Sequence, residues 1–146
     1  MTTAHDDLIH QVCRAYNLPF ALIQAQMMHE SSGDPFAFRY EQGFYRRYIK
    51  GNLNAKAARF GPLAACSYGL MQIVLETAYE LGFDGRPEEL FLDRVSLTWG
   101  CRKMRALWDN VGGQEATYRQ ALARYNGVGS MADLYADTVY RIAGST

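Results

Sequence analysis

Apolar residues recur every three or four positions through most of this chain. Leu8, Ile9, Val12, Cys13 and Tyr16 form one stripe and predict a first helix over residues 5–16. Pro19 suits the first turn of a second helix, and Gly33 supplies its stop. On that helix Ile23, Met27 and Glu30 stand at i, i+4 and i+7, so a carboxylate extends an apolar stripe. A further helix is expected over about 71–81, closed by Gly82. Val95, Leu97, Trp99, Cys101, Met104, Leu107 and Trp108 predict a long amphipathic helix over 94–109, broken by Gly112-Gly113. The next helix, about 114–125, runs to Asn126-Gly127. Ser130 with Asp133 has the form of a capping box for a last helix reaching 142.

Residues 34–66 break this rhythm. Asp34-Pro35 ends the helix before it. An aromatic and basic run follows, from Phe36 to Tyr48, and Gly51-Asn52 and Gly61-Pro62 are turn signals. The segment reads as loop with one or two short helices, with room for a minor β-hairpin in residues 36–66. No repeat, linker or low-complexity stretch divides the chain. The expectation is a mostly α fold of about six to eight helices in a single domain, residues 1–146.

Composition narrows the function classes. Hydrophobic residues make up 49% of the chain, too many for a disordered segment. The 15 basic and 15 acidic residues cancel, so whole-molecule attraction to nucleic acid or to an anionic membrane is not expected. Any polyanion binding needs a local patch. No stretch approaches the ~18 apolar residues of a membrane span. Met1 to Asp7 lacks a charged and then apolar leader, so the expectation is a chain made in the cytoplasm without a signal peptide, or a domain of something larger. Three cysteines without CxxC spacing argue against a disulfide framework. Cys13 and Cys101 occupy apolar helical positions, where buried free thiols are expected and a Cys13–Cys101 pair stays open. His5, His10 and His29 show no ligand grouping, and neither a metal nor a cofactor is expected.

Glu30 carries the most chemical information. A carboxylate at the C-terminal end of an apolar helix meets an unfavourable dipole, and burial adds to it. Both favour the protonated acid, which can give its proton to a leaving group, as glycoside cleavage requires. Three segments then align in order: Glu30-Ser31-Ser32-Gly33-Asp34-Pro35, Ser67-Tyr68-Gly69-Leu70-Met71-Gln72-Ile73 and Ala123-Arg124-Tyr125-Asn126-Gly127. Together they resemble the soluble lytic transglycosylase family, which shares a lysozyme-like fold with goose-type lysozyme. Glu89 to Asp93, Tyr135 and Val139 also fit, and the resemblance covers about residues 8–140.

The resemblance implies a lysozyme-like domain with its helices around a substrate groove. It implies peptidoglycan glycan strands as partner, cut between N-acetylmuramic acid and N-acetylglucosamine, with a 1,6-anhydro sugar as product. Glu30 matches the single acid and base. Gln72 matches a glutamine beside the sugar groove, Ser67 a serine near the N-acetyl group, and Tyr125-Asn126 the pair opposite the acid, the tyrosine supporting its carboxyl group. No nucleic acid, no membrane insertion and a monomer are expected. The place of action is the cell wall, reached through holin-type pores, on a virion or through a secretion machine.

Two departures stand out. Leu75 occupies a position where the family often has proline, which should alter only a helix start. The stretch between the first and second segments is longer than in minimal members and contains Glu41. If Glu41, or as second candidate Asp34, faces the groove, a second carboxylate would permit hydrolysis, as in a lysozyme-type muramidase. If it instead pairs with Arg39, Arg46 or Arg47, it is an ordinary surface ion pair. A wall-binding module on an inactive fold is the third reading. Tyr125-Asn126-Gly127 also reads simply as a helix end capped by αL glycine.

Overall fold

The structure, a computed structural model, describes residues 2–145. Helices dominate: α1 (Asp6–Tyr16), α2 (Phe20–Ser31), the single turn α3 (Gln42–Phe44), α4 (Leu75–Glu80), α5 (Asp93–Asn110), α6 (Tyr118–Asn126) and α7 (Ser130–Gly144). A small antiparallel sheet has the order β1 (Phe38–Tyr40), β2 (Cys66–Tyr68), β3 (Ile73–Val74). The mostly α class expected from the sequence is thus the one observed. The chain divides into two compact units, residues 1–29 with 101–146, and residues 30–100.

The first unit is helical throughout. Asp6 and Asp7 occupy the first turn of α1 and Arg14 its last, each complementing the helix dipole, and Asn17 closes it at φ 53°. Asp6 accepts hydrogen bonds from the Thr3 hydroxyl (2.6 Å) and the buried Gln24 amide (2.9 Å). The Thr3 hydroxyl first, and then these other donors, hold the Asp6 carboxyl below its ordinary range. Ile9, Ile23, Met27, Met104, Leu122 and Val139 are fully buried. An Arg119–Asp137 ion pair ties α6 to α7. Cys13, Cys66 and Cys101 are free and buried. Its hydrogen bond with Cys13, then burial, hold the Cys101 thiol well above its ordinary range.

The second unit is built from short pieces. A π-helical turn, Tyr45–Ile49, follows α3, and two 3₁₀ turns within Ala58–Ala65 meet at Gly61, whose φ of 59° breaks them apart. A further 3₁₀ turn spans Pro87–Phe91. Glu76, 2% exposed on α4, accepts the main-chain N–H groups of Lys56 (2.8 Å) and Ala57 (2.6 Å). One buried carboxylate thereby satisfies two donors that no strand or helix serves.

Three local expectations are corrected. The hairpin anticipated within residues 36–66 instead joins β2 to β3 across residues 69–72, with β1 added on the other edge of β2. The turn needs left-handed backbone at Gly69 (φ 74°) and Gln72 (φ 49°). That turn also consumes the start of the helix expected over 71–81, so α4 begins only at Leu75. The Ser130–Asp133 capping box does not form. Gly129 takes the cap position with no side-chain cap, and Asp133 N–H bonds the Gly129 carbonyl (3.2 Å).

Candidate active site

Glu30 lies in the last turn of α2, half-buried, one position before a buried serine. Left-handed Ser32 (φ 54°) and Gly33 (φ 78°) stop the helix there. The Ser31 hydroxyl donates to the Leu70 carbonyl (2.9 Å) and accepts from Gly33 N–H (3.2 Å). The helix end that carries Glu30 is therefore fastened to the turn that carries Gln72. That turn is held in its own right. Gly69 N–H bonds the Ala37 carbonyl (2.8 Å), and Ser96 Oγ accepts Met71 N–H (3.2 Å) and donates to the Tyr68 carbonyl (3.4 Å).

Strand alternation sorts the sheet into two faces. Arg39 stands opposite Ser67 in the β1–β2 register, and Glu41, two residues on, extends the ladder through its N–H to the Ala65 carbonyl (3.0 Å). Arg39 Nε bonds Glu41 Oε1 at 2.9 Å, and the Ser67 hydroxyl reaches the same oxygen at 3.5 Å. The bond from Glu41, then its charge, and then the charge of Glu30, raise the Arg39 guanidinium above its ordinary range. Arg39 thus feels the charge of Glu30 and bonds Glu41, and Glu41 in turn is approached by Ser67. The opposite face is aromatic, with Phe38 edge-on to Tyr68 (5.3 Å) and Tyr68 against Phe91 (5.4 Å).

A model of the transglycosylase SLT domain matches residues 7–140. The chain belongs to that family. No curated protein and no solved structure matches it. Family membership makes it a lytic transglycosylase-type enzyme whose substrate is peptidoglycan. Among the described residues of this SLT domain no helix is long and apolar enough to cross a membrane. Among its described residues no group of three His, Cys, Asp or Glu side chains could hold a metal ion.

In the SLT domain Gln72 does not sit on a helix, contrary to expectation. It occupies the left-handed turn, where its Nε2 donates to the Gly69 carbonyl (3.1 Å). Glu41 takes the ion pair with Arg39, one of the alternatives left open. Tyr125 and Asn126 belong to the other unit, at the end of α6. Tyr125 is buried, with the Lys103 ammonium 4.1 Å from its ring centre and bonded to its carbonyl (3.0 Å). Asn126 is exposed. Gly127 caps α6, but at φ 155° and ψ −135° rather than in αL geometry. His29 is exposed beside Tyr135, and burial of part of the ring, then Arg141, lowers its pKa.

Two residues of this scaffold escaped the sequence reading, Ser31 and Ser96. Both had a signal. Ser31 continues the stripe Ile23, Met27 at i+8, and Ser96 shares a face of α5 with Gly100.

Proposed function

We propose that this SLT domain cleaves the β-1,4 bond between N-acetylmuramic acid and N-acetylglucosamine without consuming water, Glu30 acting as acid and then as base. The Glu30 carboxyl gives its proton to the glycosidic oxygen as the bond to the muramoyl anomeric carbon breaks. The N-acetylglucosamine leaves with a 4-hydroxyl. Positive charge develops on the muramoyl ring, eased by its own acetamide. The Glu30 carboxylate then removes the proton of the muramoyl 6-hydroxyl, whose oxygen closes on the anomeric carbon. The 1,6-anhydro sugar departs and Glu30 is protonated again. We assign substrate binding to Ser67, Gln72, Tyr125 and Asn126.

The observation that carries this reading is the state of Glu41. Its Oε1 is engaged by Arg39 and approached by Ser67, which supports a role in positioning rather than as a second, water-activating carboxylate. Mass spectrometry of the released muropeptides tests it. Products lighter by one water, without reducing muramic acid, are expected from the wild type and also from Glu41→Gln at reduced rate. Reducing ends that disappear in Glu41→Gln would instead make the protein a muramidase. Wall access through holin-type release, virion delivery or a secretion machine belongs to the same proposal. A fractionation of infected or secreting cells would discriminate these routes.

A further inference from the structure

Zero net charge conceals an uneven distribution. Residues 39–59 hold six of the 15 Lys and Arg but one of the 15 Asp and Glu. Two of the six cations are answered nearby. Arg39 pairs with Glu41, and Lys56 faces Glu80, whose carboxyl feels its charge. Arg59 lies over the rings of Phe60 (4.8 Å) and Tyr79 (5.5 Å). Arg46, Arg47 and Lys50 are exposed and in no ion pair of the described residues.

The backbone leaves these three charges exposed. In the turn Tyr45–Ile49 only Ile49 is buried, which turns Arg46 and Arg47 outward. The Asn52 side chain then braces the following loop, donating to the Tyr48 carbonyl (2.9 Å) and accepting from Asn54 N–H (2.9 Å). At its tip Leu53 is fully exposed. A hollow of about 230 Å³ beside Lys50 is lined by Tyr45, Ile49, Leu53 and Ala58. A hollow lined by one cation, Lys50, with two more cations exposed on the adjoining turn, suits a ligand that alternates small apolar groups with carboxylates.

We propose that Arg46, Arg47 and Lys50, with this hollow, bind the peptide stems of peptidoglycan, whose alanyl methyls and free carboxylates have that chemistry. The proposal rests on the peptidoglycan reading above and adds a stem-binding subsite to it. Chain continuity favours the stem over other polyanions. The cationic stretch begins at Arg39, which senses the charge of Glu30, and continues to Arg59 within the same unit.

The test is a titration of isotope-labelled protein with the soluble stem tetrapeptide L-alanyl-γ-D-glutamyl-diaminopimelyl-D-alanine, followed by NMR. Amide shifts at Arg46, Arg47, Lys50 and Leu53 are expected. The double variant R46E/R47E should weaken binding about tenfold, the scale of two exposed ion pairs reversed. A peptide with its carboxyls amidated should lose a similar factor. Silence of these amides, or an affinity indifferent to the reversal, would overturn the proposal. So would capture by phosphatidylglycerol vesicles through the same residues with no response to the stem, which would reassign the surface to membranes. The titration needs no glycan cleavage. Failure of Glu30 as the acid would leave it standing, and failure of the titration would leave the acid standing.

Discussion

The two units of this enzyme are held together by different means. In residues 101–146 the buried side chains repeat at helical spacing, Cys101 and Met104 on α5, Tyr118, Ala121, Leu122 and Tyr125 on α6, Ala132, Tyr135, Ala136 and Val139 on α7. Burial of apolar area does the stabilising there. Between Ser31 and Asp93 no element exceeds eight residues. Such pieces cannot bury a broad apolar stripe, and specific polar locks substitute: Ser31 on Leu70, Ser96 across Tyr68 and Met71, Glu76 on Lys56 and Ala57. The unit that carries Glu30 is thus fixed by main-chain geometry, which suits the acid role proposed for that carboxyl group.

The largest effect should come from a substitution that leaves both kinds of stabilisation untouched. Glu30→Gln should lower wall-lytic activity about a thousandfold or more, the scale of a lost general acid, with an unchanged melting temperature. Turbidity clearing and calorimetry on one sample would separate the two quantities. Retained lysis would remove Glu30 from its role.

Two destabilising substitutions, one removing side-chain volume and one adding it, sharpen the contrast. Leu122→Ala deletes buried methyl groups in the first unit and should cost about 2–5 kcal/mol. Gly69→Ala adds one methyl in the second, at φ 74° and with its Cβ 2.3 Å from the Leu90 carbonyl oxygen, and should cost about 3–5 kcal/mol. Denaturant unfolding measures both. A mild Gly69→Ala would mean that the second unit does not depend on the left-handed backbone at this turn.

Glu76→Ala should cost about 2–4 kcal/mol, since two main-chain donors lose their acceptor. Faster hydrogen exchange confined to residues 52–58 is the expected signature. A loss spread evenly over the unit would assign Glu76 to packing instead.

The smallest effect concerns Glu80. Burial first, and then the neighbouring Glu76 carboxylate, raise its pKa above 4.5. A carboxyl raised in the folded state opposes folding once ionised, so the penalty is absent below the unfolded value and grows as pH rises through the folded one. Glu80→Gln should therefore stabilise near neutral pH and not at pH 4. Solvent screening of this exposed group keeps the gain under about 1 kcal/mol. Melting curves at the two pH values check the sign.

The contrast also explains what could be read from the residues alone. Helices α1, α2 and α5 follow from long apolar stripes and clear stop signals, and their ends were anticipated to within a residue or two. The stretch from Cys66 to Val74 resisted such a reading because every residue but Gln72 and Val74 is buried, leaving no polar face to reveal its period. Glu30, Ser67 and Gln72 are singled out by short motifs, which survive even where periodicity fails. The partner of Glu41 was not, because three arginines stood within reach and only the β1–β2 register brings Arg39 alongside Ser67.

One close approach limits how this scaffold can be varied. A Cβ at Gly100 would stand 2.4 Å from that of Met71, and Ser96 one turn earlier on α5 bonds the same stretch of backbone. The long helix cannot roll or slip by a residue without collision. Insertions and deletions among natural or engineered variants should therefore gather in the segment before Asp93, where they shift no helical phase, and be purged within the helix itself.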